Sequence, residues 1–467
     1  MTPPPTQSPT STDFSSNGTT SSPTHLVPRA QRNVSWFQTK HMRQVSRLRA
    51  QGERINLMTA ENWVVRDDLV ELYKDIFKRD LATRHLSYAD GLGGDPELLR
   101  AAAGFFNRFL KAKVPVLPEH IVSGAGVSSL LENVLYDVCD QGEGVLIETP
   151  YWGGFDTSFV LRTNVQEVHV RTPLLKADMP IERLVEGYIA AYESSLREAK
   201  YTVRAILLCN PHNPLGSIYP VEILQALLQF AERHNLFFIS DEIYALSTLT
   251  TTTPFVSVLS LDLDDLGVSP SRVCTLYSIS KDLGSSGLRL GFSITQANPI
   301  LRLSQSITNH SRVSTFTSLV LTSLLSSPDT LTHLLSSNRD SLIASAALIT
   351  DFLRFHSIPF VEPDAGVYIW AKLGRNATSW QEEDAVNDRL DEAGISVAAG
   401  RGYFASEPGW FRVTFAVPWW VLVEGLRRLE RGLGLMGWVW VWDESEEEVE
   451  KEKEKKEKTS LLPSQSQ

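Results

Sequence analysis

The chain has little of what would tie it to a membrane, a metal or an oxidising compartment. Its 467 residues hold only three cysteines, Cys139, Cys209 and Cys274, scattered without metal-ligand spacing and each in or beside an apolar segment. That usage argues against a disulfide framework or a metal centre and reads as reduced core thiols of an intracellular protein. No apolar run is long enough to span a bilayer. The first residues, Met1 to Thr24, are rich in Thr, Ser and Pro and lack the apolar stretch of a signal peptide. An excess of positive charge is missing too, and a formal net charge of −11 leaves no general affinity for nucleic acid. Part of that acidity is a mixed Glu- and Lys-rich run from Asp443 to Lys458, which reads as a solvated tail. There is no internal repeat. The expectation is a cytoplasmic protein, long enough for two or more domains and ordinary for an enzyme in its apolar content.

What is present is concentrated in one stretch, Tyr277 to Gly291, which reads Y-S-I-S-K-D-L-G-S-S-G-L-R-L-G. It sets a single lysine, Lys281, beside the hydroxyls of Ser278 and Ser280 and the guanidinium of Arg289, with small residues between. Apolar runs from Val273 to Tyr277 and from Leu290 to Ile294 flank it and predict two short buried strands. A lysine amine in surroundings that favour its neutral form can bond covalently to an aldehyde. Hydroxyls and a guanidinium can hold a phosphate. The stretch therefore suits an aldehyde cofactor that carries an anion. Taken alone it suits a glycine- and serine-rich surface turn equally well.

The remaining chain supplies context. Residues 1–32 have a disordered composition, with order expected from about Trp36. Glu61 follows an apolar run and precedes a helix predicted from Asp67 to Arg79. Tyr88 opens a glycine-rich loop that leads into a helix near Pro96. Ile121 to Ser129 joins a strand end to a helix through Ala125 and Gly126, where small residues leave backbone N–H groups free for a phosphate. A strand from Val145 to Glu148 precedes Trp152, an aromatic placed to pack in the core or to stack on a planar ring. The strand Ala205 to Cys209 ends in Asn210-Pro-His-Asn213-Pro-Leu-Gly216, where two Asn-Pro pairs stiffen the turn that presents Asn213. The strand Leu236 to Ser240 ends at Asp241-Glu-Ile-Tyr244. Arg412 lies in an apolar, strand-like context and needs an anionic partner there. The tract Trp438 to Trp442 alternates like a strand. Strands alternating with helices, with polar residues at strand ends, predict an open α/β sheet that binds its ligand at the carboxyl ends.

Five separated stretches fall into the order of one family: Ala60-Glu61-Asn62, Asn210 to Gly216, Ser240 to Tyr244, Tyr277 to Gly291, and Glu407-Pro-Gly-Trp-Phe-Arg412. The chain resembles the fold-type I pyridoxal-phosphate enzymes of the class I/II aminotransferase group. Within that group it is most similar to 1-aminocyclopropane-1-carboxylate synthase and its relatives. The resemblance implies an α/β fold, a large domain with a mixed, mostly parallel sheet over 81–319. It also implies a smaller α/β domain from both chain ends, 33–80 plus 320–442, between disordered segments 1–32 and 443–467.

The same resemblance implies pyridoxal 5'-phosphate as cofactor, with Lys281 as its covalent anchor and as base and acid at the substrate Cα. Asp241 would face the ring nitrogen. Asn213 and Tyr244 would bond the phenolic oxygen, with Tyr244 among the catalytic set, and Trp152 would stack on the ring. Ser278, Ser280, Arg289 and the backbone of Ala125 and Gly126 would hold the phosphate. Arg412 would bind the substrate carboxylate, and Glu61 would lie on the substrate side, in synthases near a sulfonium. Tyr88 would reach the cofactor of the partner in a homodimer. Trp152 stands where synthases usually have a tyrosine, and Ala89 to Gly94 replaces their usual loop. The expected activity is that of an aminotransferase or a synthase-like enzyme acting on an α-amino acid, in specialised metabolism. Alternatives are a carbon–sulfur lyase acting on a cysteine conjugate or S-adenosylmethionine, and a non-catalytic binding protein on the same fold.

Overall fold

The computed structural model describes residues 26–49, 54–175, 179–250, 252–309 and 313–440. The acidic tail and the first 25 residues lie outside them. Helix α1, Pro28–Arg49, belongs to a compact unit of its own that ends at Gln51, and residues 52–467 form the second. Helical structure thus begins before Trp36. Pro28 occupies the first helical turn, where a missing N–H costs nothing, and Arg29, Ala30 and Gln31 are good helix formers.

In the second unit the framework is a seven-stranded sheet. Its strands are β1 (Ile121–Gly124), β2 (Gly144–Glu148), β3 (Gln166–Val170), β4 (Val203–Cys209), β5 (Phe237–Asp241), β6 (Val273–Ser278) and β7 (Gly291–Ile294). They lie in the order β1-β7-β6-β5-β4-β2-β3. Only β7 runs antiparallel to its neighbours, and the other pairings are parallel. β1, β2, β5, β6 and β7 are buried along their whole lengths. That explains why these segments read as continuous apolar runs and not as alternation: helices cover both faces. Those helices include α2 (Arg66–Asp80), α3 (Pro96–Phe109) and α4 (Val127–Val138). Asp95 caps α3 by accepting from the amides of Glu97 and Leu98, with Pro96 at its first position.

Beyond β7 the chain is helical over Pro299–Thr308, Thr315–Leu325 and Pro328–Phe355. It then builds a four-stranded antiparallel sheet from β8 (Phe360–Val361), β9 (Tyr368–Ala371), β10 (Ala398–Ala399) and β11 (Phe411–Thr414), in the order β10-β11-β9-β8. Ile55–Asn56 pairs in parallel with Ile395–Ser396 as a separate two-stranded sheet, which ties the segment before α2 to the chain that leads into β10.

Over its described residues, 438–440, the tryptophan tract departs from its alternating pattern, and Val441 and Trp442 lie outside the described residues. Residues 435–440 form no strand. Trp438 is buried, its ring packed edge-on to Phe352 at 5.2 Å, and its indole N–H donates to Asp351. Trp440 packs on Trp419 at 5.2 Å. Core helices offer these rings a place to bury that a lone edge strand would not supply.

Candidate active site

Register brings the carboxyl ends of β2, β4, β5 and β6 to one edge. Cys209 pairs with Asp241, Asp241 with Leu276, and Ser278 with Gly291, which also faces Gly124 at the end of β1. The loops after β1, β2, β4, β5 and β6 that the sequence singled out leave the sheet at that edge.

Lys281 sits in the short helix Ile279–Asp282 that follows β6. Ser278 caps it, accepting from the Ser280 amide while its hydroxyl donates to the Leu290 carbonyl at 2.6 Å. The Ser280 hydroxyl lies 2.7 Å from that of Ser278. Ser278 is thus engaged within the protein and shapes the turn. Lys281 Nζ donates to the Ala60 carbonyl at 2.5 Å. Burial, and then Arg412, push this amine down to about 8, with Arg289 adding to the effect and Glu61 and Asp241 opposing it.

Asp241 is 2 % exposed at the tip of β5, and its Oδ1 accepts from the Ile243 amide at 3.2 Å. Burial lifts its carboxyl to about 7 against the pull of that amide and of Lys281. Tyr244, buried on the same loop, packs edge-on to Tyr368 at 5.3 Å, and burial raises its phenol.

Asn213 lies in the turn after β4, where Asn210–Pro211 and Asn213–Pro214 are both cis. Arg412, in the centre of β11, donates from Nη1 to Asn213 Oδ1 at 3.0 Å and from Nη2 to the Met58 carbonyl at 2.8 Å. Its guanidinium lies over the rings of Tyr368 and Tyr403, at 4.9 and 5.1 Å. It is 3 % exposed, meets no carboxylate among the described residues, and its Nε has no partner. A buried guanidinium in that condition is a standing demand for an anion.

The phosphate side is built on Gly126, whose φ of +85° opens α4 without any side-chain cap. A Cβ there would come within 2.5 Å of Arg289 Nη2. Arg289 donates to the carbonyls of Ala125, at 3.0 Å, and Ser286, at 2.9 Å. The Gly126 amide itself bonds the Gly124 carbonyl, so the amides left free for a ligand belong to the first turn of α4. Trp152 is half-buried, edge-on to Phe155 at 5.3 Å.

Two expected residues stand apart. Tyr88 is 97 % exposed and touches none of this set. Glu61 is half-buried near Lys281, yet both its oxygens are taken: Oε1 by Ser286 at 2.5 Å, Oε2 by Arg66 at 3.1 Å and Trp63 at 3.2 Å. Sequence reasoning also passed over Asn62, whose Nδ2 donates to the Lys281 carbonyl at 3.0 Å and to Asn338 at 2.7 Å. It gave no role to Asp282, fully buried and bonded to Ser247, Tyr277 and the Leu246 amide. The signal for both was an acid or amide inside an apolar segment, where a polar side chain needs partners.

Known proteins carry the same framework. The family model described as aminotransferase class I and II matches residues 70–422. The probable aminotransferase gliI of Aspergillus fumigatus is 62 % identical over 88 % of this chain and 97 % of its own length. The aminotransferase verI of Clonostachys rogersoniana is 38 % identical over 88 % and 93 %. The human 1-aminocyclopropane-1-carboxylate synthase-like protein 1 is 30 % identical over 88 % of this chain and 84 % of that one. A mutant aspartate aminotransferase of Thermus thermophilus superposes with a TM-score of 0.69 at 22 % identity, covering 87 % of this chain and 99 % of its own.

Proposed function

The chain belongs to the class I and II aminotransferase family, and from that premise we propose that it moves the α-amino group of an amino acid whose carboxylate docks on Arg412. The observation that carries the proposal is Arg412 itself, a buried guanidinium without an acidic partner among the described residues. Pyridoxal 5'-phosphate, when bound, supplies an aldehyde that condenses with an amine and a ring that takes up the electron pair left when a Cα proton departs.

The residues fit that group. A positively charged Arg289, bonded among the described residues only to carbonyls, beside an uncapped helix N-terminus and a glycine where a Cβ would collide, suits a phosphate cradle. Asp241, a buried carboxyl whose single donor among the described residues is the Ile243 amide, suits a heterocyclic N–H. Asn213, bonded to Arg412, and Tyr244, on the loop after Asp241, would bond the phenolic oxygen, and Trp152 would stack on the ring. Ser278 and Ser280 shape the lysine turn. Lys281 holds an amine whose proton leaves near neutral pH, so it can bond an aldehyde and then carry a proton at Cα. Arg412 fixes the carboxylate and with it the orientation of Cα.

We further read 81–319 as the cofactor-holding domain and, within the second unit, the segments 52–80 and 320–440 as the smaller one. The enzyme is proposed to be a cytoplasmic homodimer, its second copy covering the exposed loop of Leu86 and Tyr88. Among the described residues no helix is long and apolar enough to cross a membrane.

The test is a substrate panel on purified protein reconstituted with the cofactor. Stoichiometric release of a 2-oxo acid from an amino acid, with the amino group retained by the enzyme, is the expected result. Release of a thiol, of methylthioadenosine or of free ammonia, with catalytic turnover in the absence of an amino acceptor, would replace transamination with elimination.

A further inference from the structure

Ser286 is shared by two charged residues that never touch. Its hydroxyl donates to Glu61 Oε1 at 2.5 Å, and its carbonyl accepts from Arg289 Nη1 at 2.9 Å. Arg289 needs such support. Its backbone is left-handed, φ 52°, a conformation that costs a non-glycine residue energy unless its surroundings hold it. Its side chain is exposed, so rotamer entropy works against any one placement.

The turn that carries it, Gly284 to Leu288, is tied down from one side by the segment before α2 and by α2 itself. Arg66 Nε donates to the Gly284 carbonyl at 3.4 Å, and Tyr73 Oη lies 2.8 Å from Ser285 Oγ. Gly284, at φ +55°, leaves only 2.7 Å between a would-be Cβ and the Asn62 carbonyl. Glu61 is the charged centre of these ties, paired with Arg66 and bonded to Ser286 and Trp63. Burial raises its carboxyl, but the hydrogen bonds from Ser286 and Arg66 outweigh that and leave it below the usual carboxylate range. It is a carboxylate paired with Arg66, and both its oxygens accept from the protein.

We propose that Glu61 is a positioning residue for the phosphate end of the cofactor site, acting through Ser286 on the turn that sets Arg289. The inference rests on the reading of Arg289 as a phosphate ligand. It predicts a defect seen only by ligands that carry a phosphate.

The experiment titrates the apoprotein with pyridoxal 5'-phosphate and, separately, with pyridoxal, which has the same aldehyde and no phosphate, following absorbance on covalent capture. Wild type, Arg289→Ala, Glu61→Gln and Ser286→Ala are compared. Arg289→Ala is expected to abolish most of the preference for the phosphorylated aldehyde. An unchanged preference there would overturn the reading of Arg289 itself. Glu61→Gln and Ser286→Ala are each expected to weaken pyridoxal 5'-phosphate on the order of ten-fold, about 1.4 kcal/mol, while pyridoxal stays within about two-fold. If Arg289→Ala loses the preference and both other variants keep it, the relay through Ser286 is refuted. Equal weakening of both aldehydes by Glu61→Gln would make Glu61 a general structural support and refute it as well.

Discussion

Arg412 Nη1 stands 3.0 Å from Asn213 Oδ1, a bond that joins the centre of β11 to the turn after β4. It links the residue proposed to hold the substrate to one proposed to hold the cofactor, and it orients the guanidinium from behind. The face left over, with an unpartnered Nε, is the one a carboxylate would fill. Replacing Arg412 by Ala removes a charge-assisted fork, worth about 3 kcal/mol in a buried site or roughly a hundred-fold in kcat/KM. Arg412→Lys keeps the charge but not the planar fork and should recover only part of the loss. Steady-state kinetics with the best amino acid of the panel checks this. A kcat/KM unchanged in Arg412→Ala would place the substrate elsewhere.

The same guanidinium acts on Lys281. Burial and Arg412 hold the amine at about 8, so the neutral, reactive form grows as pH rises through that value. Capture of pyridoxal by the apoprotein should therefore accelerate with pH and level off above about 8. In Arg412→Ala one cation that disfavours a second is gone, and the midpoint should move to higher pH. Lys281→Ala should show no covalent capture at any pH. A wild-type profile flat between pH 6 and 9 would contradict this account of the lysine.

Asp241 makes an opposite prediction for stability. Its folded value of about 7 lies above the ordinary 3.8 of an unfolded aspartate, so between the two the folded chain keeps a proton that the unfolded chain has lost. The stability it contributes is present below about 3.8, declines as pH rises through this window, and is a penalty above 7. Without the ring nitrogen that Asp241 is proposed to face, the apoprotein bears that penalty in full at pH 8. Asp241→Asn should then raise the apoprotein Tm at pH 8 by a few degrees and flatten its fall between pH 5 and 7, while activity collapses. Glu148, Glu242 and Asp282 sit at about 7 for the same reason and will contribute to the parent slope, so the comparison is variant against wild type. A Tm lowered in Asp241→Asn at pH 8 would mean the carboxylate supports the fold.

How far the sequence carries the site depends on what each residue does. The roles proposed for Lys281, Asp241, Asn213 and Arg412 rest on the resemblance of their motifs; the residues alone flag Asp241, at the end of an apolar run, and Arg412, within one, because a buried strand tolerates such a group only for a reason. The seven-stranded sheet was legible on the same ground, since strands covered on both faces read as unbroken apolar segments. The strand order was not, because pairing between segments a hundred residues apart leaves no local mark. Glu61 shows a different limit. Its place in the motif suggested a substrate contact, but its partners Arg66 and Ser286 lie 5 and 225 positions away, and only folding shows that both its oxygens are in use. The tryptophan tract misled for a related reason: alternation predicts which residues share a face of a strand, not whether a strand forms.

Asn62 is the point where this distinction can be measured. It is fully buried, and its Nδ2 bridges the Lys281 carbonyl and Asn338 Oδ1, while its Oδ1 accepts from the Val64 amide at 3.2 Å. Asn338 in turn donates to the Asp282 carbonyl at 3.2 Å, so the two bonded asparagines hold two consecutive carbonyls of the lysine helix. Asn62→Ala strands a buried carbonyl and a buried amide oxygen, each costing about 1–3 kcal/mol. The expected total, roughly 2–6 kcal/mol, should lower the midpoint of urea unfolding of the apoprotein visibly with little change in slope. Because the lysine loses a backbone anchor and not its amine, pyridoxal capture should slow without losing its dependence on pH near 8. A variant as stable as the parent would show that the bridge is replaced by solvent. A pH profile shifted by more than a unit would show that Asn62 tunes the amine itself.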